Sequence, residues 1–290
     1  MRVPRPARGS RIARYYDSNT ARFLLVGGSG RSHALHRQLW AEGVTSTEGA
    51  SGHIHRLIEE AVRHGHPAGA PVILDMGCGV GGTLFHLARA FPRASLTGIT
   101  ISPKQRGMAG RLAAGKGLGD RCRFVLGDFE REDTGVAADV VVAVESFAHS
   151  TSRRAFFRSA ARQLTRGGML LIADDFLTAD PESLGVRARR HIGEFRAGWH
   201  LPGLGTANAC IRAGSRHGLR LEDDADLTGL IRLGRPRDRA VALLCPLIRM
   251  LRLGNVPVFG NMIGGNALQN GIREGILTYR LLRFRRVART

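Results

Sequence analysis

Two carboxylates and one imidazole in this 290-residue chain stand where reactive groups are expected. Asp75 opens the run Asp75-Met76-Gly77-Cys78-Gly79-Val80-Gly81-Gly82, directly after the apolar Val72-Ile73-Leu74. Glycines there permit a tight strand-to-helix turn and let a ligand approach the backbone closely. A carboxylate ahead of the first glycine suits a cationic ligand, such as the amino group of a methionine moiety, and repels a pyrophosphate. Glu145 ends a second apolar run, Val140–Val144, and His149 follows four residues later. A carboxylate in that position can hold a developing cation and then remove a proton. An imidazole can serve as a base near neutral pH. The alternative is that Glu145 anchors a cofactor or a nearby amide and that His149 caps a helix.

These residues need a scaffold that brings the ends of apolar runs together. Ile54, Leu57, Ile58, Ala61 and Val62 recur at helical spacing, and His64-Gly65-His66-Pro67 ends that helix. Short apolar runs then alternate with helical stretches. Strands are expected at Val72–Leu74, Ser95–Thr100, Arg123–Leu126, Val140–Val144 and Met169–Ala173, with helices at Gly82–Ala90, Pro103–Ala114 and Arg153–Leu164. The alternation predicts βαβ units and a parallel, doubly wound α/β sheet. In such a sheet the ligand lies at the carboxyl edge of the strands. After Asp175 the rhythm breaks. The division expected is an N-terminal helical lid over 1–69, a Rossmann-like core over 70–176 and a substrate cap over 177–217. The rest of the core, 218–290, carries a helical insertion broken at Gly264-Gly265, a strand near Leu219–Glu222 and a last strand at Leu277–Phe284.

Downstream spacing adds detail to the first glycine turn. A ribose-binding polar group is expected after the second strand, in Gly98-Ile99-Thr100-Ile101-Ser102-Pro103-Lys104-Gln105. After the third strand, Asp128 can accept from an adenine amino group and Phe129 can cover the ring. The runs ILDMGCGVGG, LTGITISPKQ, VLGDFE, VVAVESFAHS and LTRGGMLLIADDF together resemble the class I methyltransferases that use S-adenosylmethionine (SAM). The likeness is to the branch holding sterol, tocopherol, prenyl diphosphate and natural-product methyltransferases, and covers roughly residues 70–176. It implies the seven-stranded Rossmann-like fold of that family and SAM as cofactor. It also implies Asp75, Gly77 and Gly79 lining the SAM site, Thr100 and Gln105 near the ribose, and Asp128 and Phe129 near the adenine. Many class I enzymes carry an acid at the end of the second strand. This chain has Thr100, with Gln105 as the substitute.

The resemblance extends more weakly to both ends. Tyr15–Leu24 and Ala34–Val44 are similar to segments that close over cofactor and acceptor in that branch, and Ile263–Phe284 is similar to the end of bacterial relatives that methylate terpenoids. It implies Tyr15 at the cofactor and Tyr16, Phe147 and Trp199 at the acceptor, although Tyr15, Tyr16 and Trp199 also read as ordinary core or surface aromatics. Within this branch the carbon methyltransferases carry a Glu like Glu145 and a nearby His like His149, and natural-product O-methyltransferases often use the His as base. The first reading is therefore a C-methyltransferase acting on an isoprenoid alkene, on a prenyl diphosphate or a prenylated natural product. The alternative is a small-molecule O-methyltransferase of secondary metabolism with His149 as base. A non-methylating cyclase or binding protein on this fold, and a nucleic-acid methyltransferase, are lesser readings.

Composition sets the outer bounds. The net charge is +19, from 43 Lys and Arg against 24 Asp and Glu, and nearly all the bases are Arg. That bias follows from a GC-rich genome or from an anionic partner such as a diphosphate. Apart from the final Arg280–Arg286 cluster the bases are scattered, and they lack interleaved stacking aromatics, so nucleic acid is not expected. If the acceptor is a diphosphate, Asp174-Asp175 and Asp223-Asp224 suit Mg²⁺; otherwise they are solvated turn residues, and no protein-bound metal is expected. No cysteines stand at CxxC spacing, so Cys78, Cys122, Cys210 and Cys245 read as buried thiols. No apolar run reaches the roughly 20 residues of a membrane span. A cytoplasmic enzyme, self-associating through the N-terminal helices, is expected.

Overall fold

The computed structural model describes residues 36–66 and 69–287. Tyr15 and Tyr16 lie outside the described residues. Seven strands make one sheet: β1 Val72–Met76, β2 Ser95–Thr100, β3 Cys122–Leu126, β4 Ala138–Val144, β5 Leu164–Leu177, β6 Leu219–Asp226 and β7 Leu277–Arg286. Their order is β3-β2-β1-β4-β5-β7-β6. Strands β1 to β5 run parallel, whereas β7 runs antiparallel to both neighbours, so the sheet is mixed. Strand order reverses between β1 and β4, and the crevice beyond their carboxyl ends is where an open α/β sheet takes its ligand.

Alternation along β4 shows how the strands divide the core. Val140, Val142 and Val144 face one cluster, with Ile54, Ile58 and Val62 of helix α1 (Thr47–Gly65) and Leu84, Phe85 and Leu87 of helix α2 (Gly82–Ala90). Val141 and Ala143 face the other, with Phe156 and Phe157 of helix α4 (Arg153–Gln163) and Cys210 of helix α6 (Ala207–Ser215). Helices on both faces explain why Val140–Val144 is an unbroken apolar run. Helix α3 (Pro103–Gly115) starts on a Ser102 cap that accepts from the Gln105 amide. All four cysteines are buried and free.

Two expected boundaries move. Helix α6 packs on α4 and β6, within a covering layer of the sheet. The layer over the carboxyl edge instead pairs helix α5 (Val186–Trp199) with helix α8 (Pro257–Arg273), and helix α7 (Pro236–Met250) leans on α8. The break in the helical insertion falls at Leu251–Val256, and Gly264-Gly265 sit inside α8. Gly264 serves close approach rather than a turn, whereas a Cβ on Gly265 would meet nothing within 4 Å. A Cβ on Gly198 would stand 2.6 Å from the Gly260 carbonyl oxygen and 2.8 Å from the Gly264 Cα.

Candidate active site

The glycine turn is shaped by contact with the end of β4. Gly77 has φ 99°, and a Cβ there would lie 2.4 Å from the Ser146 Cβ and 3.7 Å from the Phe129 ring. The Ser146 hydroxyl donates to the Met76 carbonyl at 2.5 Å, which ties β4 to β1 at the switch point. Gly79 has φ 54°, and its missing Cβ would meet nothing within 4 Å, so its backbone faces open space. Asp75, 2% exposed, sits beneath this turn. Burial alone pushes its carboxyl up to about 7. A buried carboxylate that no cation among the described residues compensates, under an open glycine loop, fits a ligand that brings a positive charge of its own.

The ribose and adenine candidates lie on the next two strand ends. Thr100 donates to Gln105 Oε1 at 2.8 Å and accepts from the Ser102 amide at 3.2 Å, so the substitute pair is held as one unit. The Asp128 carboxylate accepts from the Glu130 amide at 2.9 Å, which fixes the turn after β3. Phe129 is half-buried, edge-on to Phe156, and its ring lies beside Gly77. The structure thus brings Asp75, Gly77, Gly79, Phe129 and Ser146 to one place.

Glu145 occupies the first position beyond β4, with φ 49°. A left-handed conformation in a non-glycine residue costs on the order of 1–3 kcal/mol and persists where the surroundings impose it. Here two donors impose it: the Arg37 amide at 2.6 Å and the Tyr279 hydroxyl at 3.1 Å both reach Glu145 Oε1. The Arg37 guanidinium meanwhile pairs with Asp175, Nε to Oδ1 at 3.1 Å and a second contact to Oδ2, and lies 5.7 Å from the centre of the Tyr279 ring. Arg37 therefore positions two carboxylates at once, one through its backbone and one through its side chain. Burial raises the Asp175 carboxyl, and Arg37 pulls against that rise. Replacing Arg37 by Met should strand Asp175 as an unpaired buried charge and cost roughly 3 kcal/mol. Urea unfolding of the variant would show the loss. The double variant Arg37→Met/Asp175→Leu should recover part of it, and equal stabilities of single variant and native protein would refute the coupling.

Asp174 is committed as well. Its carboxylate accepts from the Ala148 and Asp175 amides at 2.9 and 2.8 Å, and burial, then Asp175, push it up to about 8. Asp224 pairs with Arg280 at 2.7 Å. Asp174 and Asp175 are taken up by their contacts, which does not suit a Mg²⁺ site, and they are buried within β5 rather than solvated in a turn. On edge strand β6 Asp224 is paired and Asp223 is exposed, so that pair is solvated but lies in a strand, not a turn. Among the described residues no three His, Cys, Asp or Glu side chains are grouped to hold a metal ion.

His149 is reached through the cap. Its Nδ1 lies 3.2 Å from the His200 carbonyl oxygen at the end of α5. A carbonyl only accepts, so Nδ1 carries the proton and Nε2 keeps the lone pair. Burial lowers the imidazole to about 4. Phe147 is buried in the aromatic cluster with Phe156, Phe157 and Phe176 rather than along the crevice. Trp199 is half-buried in the cap, where a Cβ on Gly264 would come within 2.9 Å of its ring. Sequence reading missed Arg37, Ser146 and Tyr279 as members of the site. It also missed Thr83, whose hydroxyl lies 3.3 Å from both His36 and His55.

Comparison with known proteins agrees with this geometry. A family described as a methyltransferase domain matches residues 73–168, which span β1 to the start of β5. Ajmaline N-methyltransferase of Rauvolfia serpentina is 30% identical over 206 residues, covering 66% of this chain and 68% of that one. Cycloartenol-C-24-methyltransferase 1 of Oryza sativa subsp. japonica is 29% identical over 217 residues, 74% of this chain and 60% of that one. Across such curated relatives the chain spans about half to two thirds of their length. A geranyl diphosphate methyltransferase, solved with its diphosphate and sinefungin, shares the fold with a TM-score of 0.72 at 19% identity, over 95% of this chain and 98% of that one. With the glycine turn, the mixed seven-stranded sheet and these relatives in agreement, the chain belongs to the class I SAM-dependent methyltransferases.

Proposed function

We propose that the chain methylates an alkene carbon of an isoprenoid, a prenyl diphosphate or a prenylated natural product, with Glu145 as the residue that answers the resulting charge. The observation that carries the reading is the Glu145 carboxylate, held by two donors in a strained backbone conformation next to the residue that packs on the glycine turn. SAM, when bound, supplies a methyl group on a sulfonium; the alkene π pair forms the new C–C bond as the C–S bond breaks, leaving a cation on the neighbouring carbon. The clamped carboxylate faces that cation and stabilises it through charge. It then takes a proton from the adjacent carbon, the C–H electron pair closes the new alkene, and the proton leaves Glu145 for water. The acceptor class rests on the resemblance of the chain to sterol and prenyl methyltransferases and on the relative named as a C-24-methyltransferase.

A second reading keeps a specific observation in its favour. The His149 Nδ1–H is turned to a carbonyl, which sets the tautomer with the lone pair on Nε2, the form a general base uses. The low basicity of that ring, about 4, counts against it, since a base works best with a pKa near the working pH. Acceptors separate the two. Turnover of an isoprenoid alkene lacking hydroxyl, thiol and amine groups supports the carbon reading. Turnover restricted to hydroxylated compounds overturns it.

A further inference from the structure

Helix α7 presents an apolar ridge to solvent. Leu243 is 81% exposed, Leu247 49%, Met250 72% and Leu251 55%, with Leu244 beside them at 48%. Residues 243, 247, 250 and 251 recur at the spacing of one helix face. The opposite face is already used: Cys245 and Ile248 are buried against Ile263 of α8. The ridge is therefore surplus to the fold. An apolar stripe of this size, exposed on one element, marks a surface that meets something else.

The charge around it narrows the partner. Residues 227–273 hold seven arginines and one acid, Asp238. Asp238 is paired with Arg235, while Arg237, Arg239 and Arg252 are exposed. Arg239 stands four residues before Leu243 on the same face, and Arg252 follows directly after Leu251, so guanidinium groups stand at both ends of the ridge. A second copy of the chain, placed ridge to ridge, would bring two such rims together. The N-terminal residues 1–35 carry seven arginines and one aspartate, a charge that does not complement the rim either. A partner that is apolar within and anionic at its rim has the complementary pattern, and a bilayer with acidic headgroups is that partner. Among the described residues no helix is long and apolar enough to cross a membrane, so the contact would be with the bilayer surface.

We infer that α7 is a membrane-docking helix that seats Leu243, Leu247, Met250 and Leu251 in the interface of an anionic bilayer while the flanking arginines engage its headgroups. The docking stands on the surface alone and does not depend on which acceptor is methylated. It would bring the cap, through α8 and α5, against the phase in which an isoprenoid dissolves.

The test is sedimentation of the full chain with phosphatidylglycerol vesicles and with phosphatidylcholine vesicles. Binding is expected to the anionic vesicles, to weaken as salt rises from about 0.05 to about 0.5 M, and to be slight on the neutral ones. The variant Leu243→Gln/Leu247→Gln changes no charge and alters only exposed side chains. It should bind the anionic vesicles at least about tenfold more weakly, and Arg237→Glu/Arg239→Glu should also weaken binding. SAM binding by calorimetry should be unchanged in both variants, which shows that they are folded. Three results would overturn the inference: no binding to anionic vesicles, undiminished binding by the leucine variant, or a native oligomer that ignores vesicles and that the leucine variant dissociates.

Discussion

Glu145→Gln is expected to lower kcat by about 10²–10³-fold and to leave the affinity for SAM unchanged. The amide keeps an oxygen where Oε1 now accepts from Arg37 and Tyr279, so the clamp and the local fold survive. What the substitution removes is the negative charge and the capacity to take a proton. Loss of one preorganised electrostatic group at a developing charge costs about that much in rate, and proton transfer by a placed side chain contributes a similar factor. His149→Ala is expected to have a much smaller effect, because a ring lowered to about 4 is a poor base at neutral pH. Single-turnover rates with saturating SAM separate the two variants. A fast Glu145→Gln enzyme beside a dead His149→Ala enzyme would transfer the role to His149 and the chemistry to oxygen.

Asp75→Asn should weaken SAM binding by about 10²-fold, the usual scale for truncating one side of a buried charge pair. The pH dependence carries more information than the loss. The ionised form of Asp75 receives a cationic ligand, and in the free protein burial holds the group near 7. SAM affinity of the native protein should therefore rise with pH up to about 7 and then level off, while the Asn variant shows no such rise. Stability runs the other way. The carboxyl is raised on folding from 3.8 to about 7, so its contribution favours the fold below pH 4 and is lost as pH rises toward 7. That shift corresponds to about 4 kcal/mol at most. The free Asn variant should accordingly melt higher than the free native protein at pH 8, and SAM should close the gap. Asp174 shifts in the same direction but is present in both proteins, so the comparison isolates Asp75. Equal melting temperatures across this range would mean that Asp75 already has a partner.

The central sheet was legible because strands β1 to β5 are covered on both faces, which forces continuous apolar runs such as Val140–Val144. The glycine turn was legible for a related reason. Gly77 must leave room for Ser146 and adopts a φ of 99°, so the residue type records the geometry. The cap was not legible in the same way. Gly264-Gly265 look like a break in a helix, yet in α8 Gly264 permits a close crossing with Gly198 of α5, and a glycine alone does not distinguish the two uses. The clamp on Glu145 was hidden by distance along the chain: Arg37 is 108 residues away and Tyr279 is 134 away, on the antiparallel β7. Asp174-Asp175 looked like a strand-end pair because the apolar run stops before them. Strand β5 nevertheless continues to Leu177, carried by its register with β7, and the paired guanidinium and backbone amides make the buried acids tolerable. Phe147 stands two residues after Glu145 and reads as a site residue, but the short helical turn Phe147–His149 directs it into the aromatic core.

The measurement that bears most directly on the proposed reaction is the position of the transferred methyl group. The chain would be incubated with SAM carrying a ¹³C methyl and an isoprenoid acceptor offering an alkene together with a hydroxyl or amine, and the product read by carbon NMR. A ¹³C methyl bonded to a former alkene carbon, with one proton lost from the neighbouring carbon, is the result predicted. A ¹³C methyl on oxygen or nitrogen, with the alkene intact, would contradict it.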